Sequence, residues 1–523
     1  MKKASVIKVL GVFVVCMALI GVFVSCAGRN NDGDIKPNDN YRNWYEIFVY
    51  SFCDSDGDGI GDINGVTSKL DYLKELGVNG IWLTPIFPSS SYHKYDTKDY
   101  YDVDNSFGTI YDFDRLISEA HRRDISVILD MAFNHTSSAS PWFLSACEYI
   151  RDTNEIGGKY GEFYNFSATE KEGYCRVPSS NYFYEARFWS GMPDLNLDSI
   201  AVKSEIKKIM KFWLQERKVD GFRLDAVTSY FTNNVEKNVE FLSWLCNEAR
   251  NIKSDCFIVA EAWEESDIKI AEYYKSNIDG CFLFTGAQRG GKIANAIKTE
   301  NADEFSQWLS SLDSTYDGML MPFLGNHDTM RPASFMSNEQ QTKMAFGLLS
   351  LMSGSIFMYY GEEIGLTSDG GESSDPQKRI AMLWDYDNNG GNCYSNSQGI
   401  GVSQSTYRFP PLSVQKTNSD SIYHYYKKAL QLRNSSPAIA RGKTTVLELG
   451  LPKYACAIRK QYGNKSVVIV INLSGAKTVA PVIERASLLG GLSAVSNATE
   501  YLPFIKDNQL YLPPYSYAIC ETK

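Results

Sequence analysis

Clustered positive charge is missing from this 523-residue chain: Lys+Arg 52 against Asp+Glu 62 leave a formal net charge of −10, with no Lys/Arg block. Binding to a phosphate backbone depends on such clusters, so a nucleic-acid partner is excluded. There is no GxxxxGK[ST] loop and no GxGxxG opening a helix, which argues against phosphoryl transfer. Cysteine is present 11 times but without any CxxC pair; beyond Cys16 and Cys26 the nine others are scattered from Cys53 to Cys520. That spacing fits neither a disulfide framework nor a zinc site. Histidine occurs only five times, so the position of each one matters. After the N-terminus no run approaches the roughly 18 apolar residues of a membrane span. What is abundant, 44% hydrophobic residues and 13% aromatics, suits a large packed core.

The N-terminus reads as an export signal over residues 1–25: Met1-Lys2-Lys3, then an apolar run from Val6 to Val24. Phe23-Val24-Ser25-Cys26 resembles a bacterial lipoprotein processing site, with Cys26 as the acylated residue. Residues 26–40 are polar and turn-rich and read as a flexible tether. The expectation is an exported bacterial lipoprotein, a monomer anchored by its N-terminal lipid at the cell surface or periplasmic face.

From Trp44 short β-rich runs alternate with amphipathic helical stretches, the pattern of βα units around a parallel sheet. Eight strands are predicted: Tyr45–Tyr50, Gly80–Leu83, Val127–Met131, Gly221–Asp225, Phe257–Ala260, Cys281–Phe284, Met319–Leu324 and Ile356–Tyr360. Eight such units give an α/β (β/α)8 TIM barrel over residues 41–442. The gap at about 136–190 is too long for a βα loop and is read as a small domain inserted after strand 3. Residues 443–523 alternate as β segments and are read as a C-terminal all-β sandwich domain.

Asp225, Glu261 and Asp328 each end or follow a predicted strand, which in a barrel places all three at the C-terminal rim where active sites are built. Convergent carboxylates suit glycoside hydrolysis, in which one protonates the leaving oxygen and another attacks the anomeric carbon or activates water. His93, His135 and His327 fall beside the same segments, whereas His121 and His424 sit on predicted helices.

With these residues in view the chain is identified as resembling the alpha-amylase family, glycoside hydrolase family 13. Asp130-Met-Ala-Phe-Asn134-His135, Gly221-Phe-Arg223-Leu-Asp225-Ala226, Glu261-Ala-Trp263 and Phe323-Leu-Gly-Asn-His327-Asp328 resemble its motifs in order; Met192-Pro-Asp194-Leu-Asn196 resembles a fifth. The resemblance implies Asp225 as nucleophile, held ionised by Arg223, with Glu261 as general acid and base. It implies Asp328 as the residue that grips the sugar hydroxyls in the distorted transition state. Nucleophile and acid would stand about 5–5.5 Å apart, as in retaining enzymes. Tyr95 matches the tyrosine that stacks under the sugar, with Lys94 before it where glycine is usual. His93, His135, His327 and Arg331 are the other expected substrate contacts. Ala226 resembles members acting on α-1,4 bonds, and Met192 resembles the intermediate group between neopullulanase-like and oligo-1,6-glucosidase-like members, which holds many bacterial alpha-amylases. The implied activity is an endo-acting alpha-amylase on an α-glucan. The alternatives are an exo-acting α-glucosidase or transglycosylase, or a surface glycan-binding lipoprotein.

Asp54-Ser-Asp56-Gly-Asp58-Gly-Ile60-Gly-Asp62 sets carboxylates at every second position around glycines, as a loop that wraps a hard cation would. The segment also resembles a calcium loop found after the first barrel strand in some members of this family. Asp54, Asp56, Asp58, the Ile60 carbonyl and Asp62 are the expected ligands of a structural Ca2+.

Overall fold

The computed structural model describes residues 41–368, 375–386, 390–394, 407–483 and 485–522. The signal segment, Cys26 and the tether lie outside the described residues. Among those described, no helix is long and apolar enough to cross a membrane.

A parallel seven-stranded sheet runs Ile356–Tyr359, Asn43–Ile47, Gly80–Leu83, Ser126–Met131, Gly221–Leu224, Phe257–Ala260 and Gly280–Cys281 in spatial order. Apart from the last strand closing onto the first, that is chain order, as right-handed βα units require. The expected strand at 319–324 differs from the others: it makes only two isolated parallel bridges, Phe282 to Met321 and Phe323 to Phe357. Pro322 sits in its middle and has no N–H to give a ladder. Its carbonyl still accepts from Phe357 N (2.9 Å), and Met321 O accepts from Leu283 N (3.0 Å), so this segment joins the two edges of the sheet. The first strand also ends earlier than expected, because Val49–Phe52 turns into a short helix.

The barrel strands are buried throughout and read as continuous apolar runs, since helices cover the outside while side chains fill the inside. Trp44 fills one end, stacked between Phe257 and Phe357 at centroid distances of 4.9 and 5.8 Å. Gly80 beneath it has no alternative, because a Cβ there would come within 2.4 Å of the Trp44 ring. On the outer ring, Ile200–Lys211 buries Val202, Ile206, Ile209 and Met210 on one face and is capped by the Ser199 hydroxyl.

The insert after the third strand holds a helix, Pro141–Thr153, and a three-stranded antiparallel sheet of Phe166–Ser167, Phe183–Glu185 and Tyr174–Arg176. Phe143 packs edge-on to Tyr164 and Tyr184 and forms its small core. The chain returns to the barrel where Asp194 bridges His135, which brings the insert to the edge of the rim.

The C-terminal domain packs a five-stranded antiparallel sheet against a three-stranded one. Ala457, Val468, Val470 and Ala518 meet Ala480, Leu510 and Leu512 between them. Gln509–Leu512 and Ser516–Glu521 belong to different sheets, because Pro513 and Pro514 break the run that joins them. Buried Lys460 fastens this domain to the barrel, its Nζ donating to the carbonyls of Leu351 (2.7 Å) and Ile439 (2.6 Å).

Candidate active site

The C-terminal ends of the strands hold a cleft of about 330 Å³, lined by His93, Tyr95, His135, Phe188, Met192, Asp225, Ala226, Glu261, Trp263, Asp328, Asp375 and Arg379. All three expected carboxylates therefore reach one space. Arg223, fully buried on the fourth strand, organises two of them. Its Nη1 lies 2.6 Å from Asp225 Oδ1 and 2.7 Å from Asp130 Oδ1, and its Nη2 lies 2.8 Å from Glu261 Oε1. One planar guanidinium thus fixes nucleophile and acid candidates from neighbouring strands at a set spacing.

The residue after Asp225 contributes through its backbone. Ala226 has φ 49° and ψ 41°, the left-handed region that non-glycine residues avoid. That turn aims its N–H at Glu261 Oε2, 3.0 Å away. Strain of this kind persists only where surrounding contacts hold it, and here those contacts join the two carboxylates.

Burial pushes the Glu261 carboxyl up to about 8, with Asp225 and Asp328 adding to the rise and Arg223 opposing it. A protonated acid at neutral pH is the state a proton donor needs. Asp328 is driven the other way. Burial would raise it, but His327 and Arg379 outweigh burial and hold its carboxyl below the ordinary range. His327 Nε2 stands 3.0 Å from Asp328 Oδ2, and Arg379 Nη2 stands 2.7 Å from Asp328 Oδ1. Three carboxyl groups in one cleft are thereby separated into a proton donor, an Arg-paired carboxylate and an anion clamped by two cations.

Tyr95 lies over the opening, its hydroxyl donating to Asp130 Oδ2 (2.9 Å) while its ring stacks on His327 at 5.3 Å. Lys94 takes the left-handed φ of 65° in which glycine is normally favoured. It is held there by an ion pair to Asp104 (2.9 Å), so the loop keeps its turn with a different residue. The His93 Nδ1 accepts from Tyr95 N at 3.1 Å, which leaves Nε2 as the hydrogen-bearing nitrogen; burial and Arg379 depress its pKa to about 4. Burial likewise lowers His135, whose Nε2 has no protein partner, and its ring lines the cleft. Two neutral imidazoles beside the carboxylates are ready to bond sugar hydroxyls.

Arg331 is the expected contact that the structure moves elsewhere. It is fully buried, donating to Tyr360 O (2.5 Å) and Lys378 O (3.0 Å), and does not line the cleft. Arg379 reaches Asp328 instead, and no motif marks it. Asp375, Phe188 and Trp263 also line the space without having been assigned to it. Phe188 and Trp263 are about half exposed and present flat apolar faces within the cleft.

The acidic loop sits outside the cleft. Ligand oxygens of Asp54, Asp56 and Asp58 lie within 4.8 Å of one another. Gly57 and Gly59 have φ of 86° and 100°, which lets the chain curl around that point. Burial, then Asp56 and Asp54, raise the Asp58 carboxyl, as expected of like charges gathered for a cation. These hard oxygen donors fit Ca2+. Asp62, expected among the ligands, is outside that cluster. Its Oδ1 accepts from Gly65 N (2.8 Å) and Ser55 Oγ (2.7 Å), capping the helix Ile63–Ser68, and its Oδ2 accepts from Ser55 N (2.7 Å). The Ile60 N–H bonds to Asp58, and the loop is tied to a distant segment through Asp54 N to Gly391 O and Tyr394 N to Gly59 O, both 2.9 Å.

Comparison with known proteins gives a consistent result. The family model for the alpha-amylase catalytic domain matches residues 46–442. Alpha-amylase 3 of Dictyoglomus thermophilum is 35% identical over 452 residues, covering 83% of this chain and 85% of that protein. A glucan 1,6-alpha-glucosidase of Streptococcus pneumoniae is 30% identical over 500 residues, covering 82% and 90%. The solved structure of Eubacterium rectale Amy13B superposes with a TM-score of 0.87 at 39% identity, covering 93% of this chain and 96% of that one.

Proposed function

The chain belongs to the alpha-amylase family of glycoside hydrolases, and on that premise we propose that it is a retaining, endo-acting alpha-amylase that cleaves internal α-1,4 bonds of starch, glycogen or maltodextrins. In the first half-reaction Glu261 gives its proton to the glycosidic oxygen as Asp225 attacks the anomeric carbon, and the C–O bond to the leaving chain breaks. In the second, the Glu261 carboxylate takes a proton from water, whose oxygen displaces Asp225 from the sugar. Asp328, clamped by His327 and Arg379, supports the positive charge that develops at the ring.

The observation that carries the endo reading is the pair of exposed aromatics. Phe188 comes from the insert that follows the third strand, and Trp263 follows the fifth, so the strand of Asp225 stands between their points of attachment. Exposed aromatic surfaces in the same cleft as the nucleophile suit a polymer that continues past the point of cleavage. An exo-acting α-glucosidase or a transglycosylase is the second reading, favoured by the similarity to a glucan 1,6-alpha-glucosidase. Purified enzyme with amylose and with p-nitrophenyl glucoside separates them: rapid loss of amylose viscosity is expected, whereas release of glucose alone would refute the endo reading. Asp225→Asn should abolish turnover with an unchanged circular-dichroism spectrum.

Two further proposals accompany this reading. The Asp54, Asp56 and Asp58 cluster holds a structural Ca2+. The chain is anchored through lipid on Cys26; the mass of the membrane-extracted N-terminal peptide tests this, and an unmodified Cys26 would refute it.

A further inference from the structure

Glu46 lies on the first strand beneath the rim, 1% exposed, and does not line the cleft. Its Oε1 is 2.5 Å from His327 Nδ1. The other ring nitrogen of His327, Nε2, faces two oxygens, Asp328 Oδ2 at 3.0 Å and the Tyr95 hydroxyl at 2.6 Å. A carboxylate thus stands at each nitrogen. Neutral imidazole carries one hydrogen and would set a lone pair against one of those carboxylates; only the imidazolium satisfies both sides. With His327 donating to the Tyr95 oxygen, the single phenolic proton goes to Asp130 Oδ2, and Asp130 in turn pairs with Arg223. A continuous chain of donors and acceptors therefore runs from Glu46, outside the cleft, to the guanidinium that holds Asp225 and Glu261.

We propose that Glu46 is a positioning residue for hydrolysis: it fixes His327 as the imidazolium and so sets the direction of the hydrogen bonds through Tyr95 and the charge on Asp328. The charged groups facing His327 are Glu46 from the first strand and Asp328 beside it. Asp130 and Arg223, from the third and fourth strands, face it through Tyr95, and Arg379 from the loop after the last strand binds its carbonyl (3.0 Å). Burial opposes the charge, but Asp328 and Glu46 outweigh it and lift the ring to about 10. Trp82, edge-on at 5.7 Å, keeps this side of the ring dry.

The inference rests on the glycosidase reading, and its test separates the two. Glu46→Gln keeps the volume and removes the charge. The ratio of wild-type to variant kcat/KM on maltodextrin should be small at pH 5.5, where His327 is still protonated. It should reach about tenfold or more at pH 8.5, the scale of losing a charged hydrogen bond. A purely structural role would give a deficit independent of pH, and that result overturns the proposal. In parallel, 15N-edited spectra of histidine-labelled enzyme, assigned with His327→Gln, should show a wild-type ring still doubly protonated at pH 8.5 and a Glu46→Gln ring that is neutral there. Equal titration in both proteins overturns the proposal. If the variant does not fold, the wild-type titration decides alone, a midpoint below pH 7 refuting it. A wild-type enzyme without activity on any glucan would sink the glycosidase reading and leave that titration to decide this one.

Discussion

Raising the pH from 5 to 9 should strip the proton from Glu261, with two consequences that can be measured independently. The side chain is 7% exposed, so solvent screens it little, and its carboxyl is lifted from an ordinary value of 4.5 to about 8, first by burial and then by Asp225 and Asp328. The folded state therefore holds this proton more tightly than the unfolded chain does. The contribution to stability is complete below pH 4.5 and is lost as the pH rises through about 8. At 1.36 kcal/mol for each pKa unit, the loss already reaches about 3 kcal/mol at pH 7. Glu261→Gln carries no ionisable proton and escapes it. Calorimetric Tm values for both proteins should thus diverge: variant minus wild type grows from pH 4.5 to 8 and then levels off. Over the same range wild-type kcat/KM should hold and then fall above about pH 8, while the variant is inactive throughout. A Tm difference that stays flat between pH 5 and 8, or an alkaline limb below pH 6, would refute the argument that burial keeps Glu261 protonated.

Removing Arg331 tests its reassignment. Arg331→Ala leaves the buried carbonyl of Tyr360 without a donor and the Lys378 carbonyl with only the Tyr359 hydroxyl, and should destabilise the fold by about 3 kcal/mol, read as a fall in Tm with little change in KM; a large KM effect without a Tm change would restore it to the substrate site. Chelation should lower Tm, and Asp58→Asn should remove that sensitivity while raising the Tm of the metal-free protein, because one of three crowded like charges is gone. An unaltered Tm in EDTA would exclude a structural cation there. Trp263→Ala should raise KM for long glucans more than for p-nitrophenyl maltoside, as loss of one stacking surface predicts, and equal effects on both would deny it a place along the chain-binding cleft.

The barrel was legible because its strands are short apolar runs that end in chemistry-bearing residues, and seven of the eight form as regular strands. The eighth was legible as a run, but Pro322 limits it to bridges. Asp225, Glu261 and Asp328 could be read because strand ends fix their location locally. Long-range partners could not. Arg331 stands three residues from Asp328 in the chain, yet the guanidinium that reaches Asp328 is that of Arg379, brought by a loop whose path depends on contacts such as Ser51 Oγ to Arg379 O (2.7 Å). Asp62 has a use that spacing does not reveal: besides its expected place among the loop's oxygens, its carboxylate accepts from Gly65 N in the first turn of a helix. Glu46 is a carboxylate in an apolar strand, visible in the sequence but without meaning until His327 is placed against it.

The left-handed Ala226 bears on how this enzyme could change. Its N–H holds Glu261 while its neighbour is Asp225, so any shift of this one peptide moves both reacting groups together. A β-branched residue pays a conformational penalty there that alanine largely avoids. Ala226→Val alone should therefore disturb nucleophile and acid together unless neighbouring contacts relax the turn. Position 226 is thus a site where one substitution acts on both halves of the chemistry at once, so that its effect depends on which neighbouring residues have already changed.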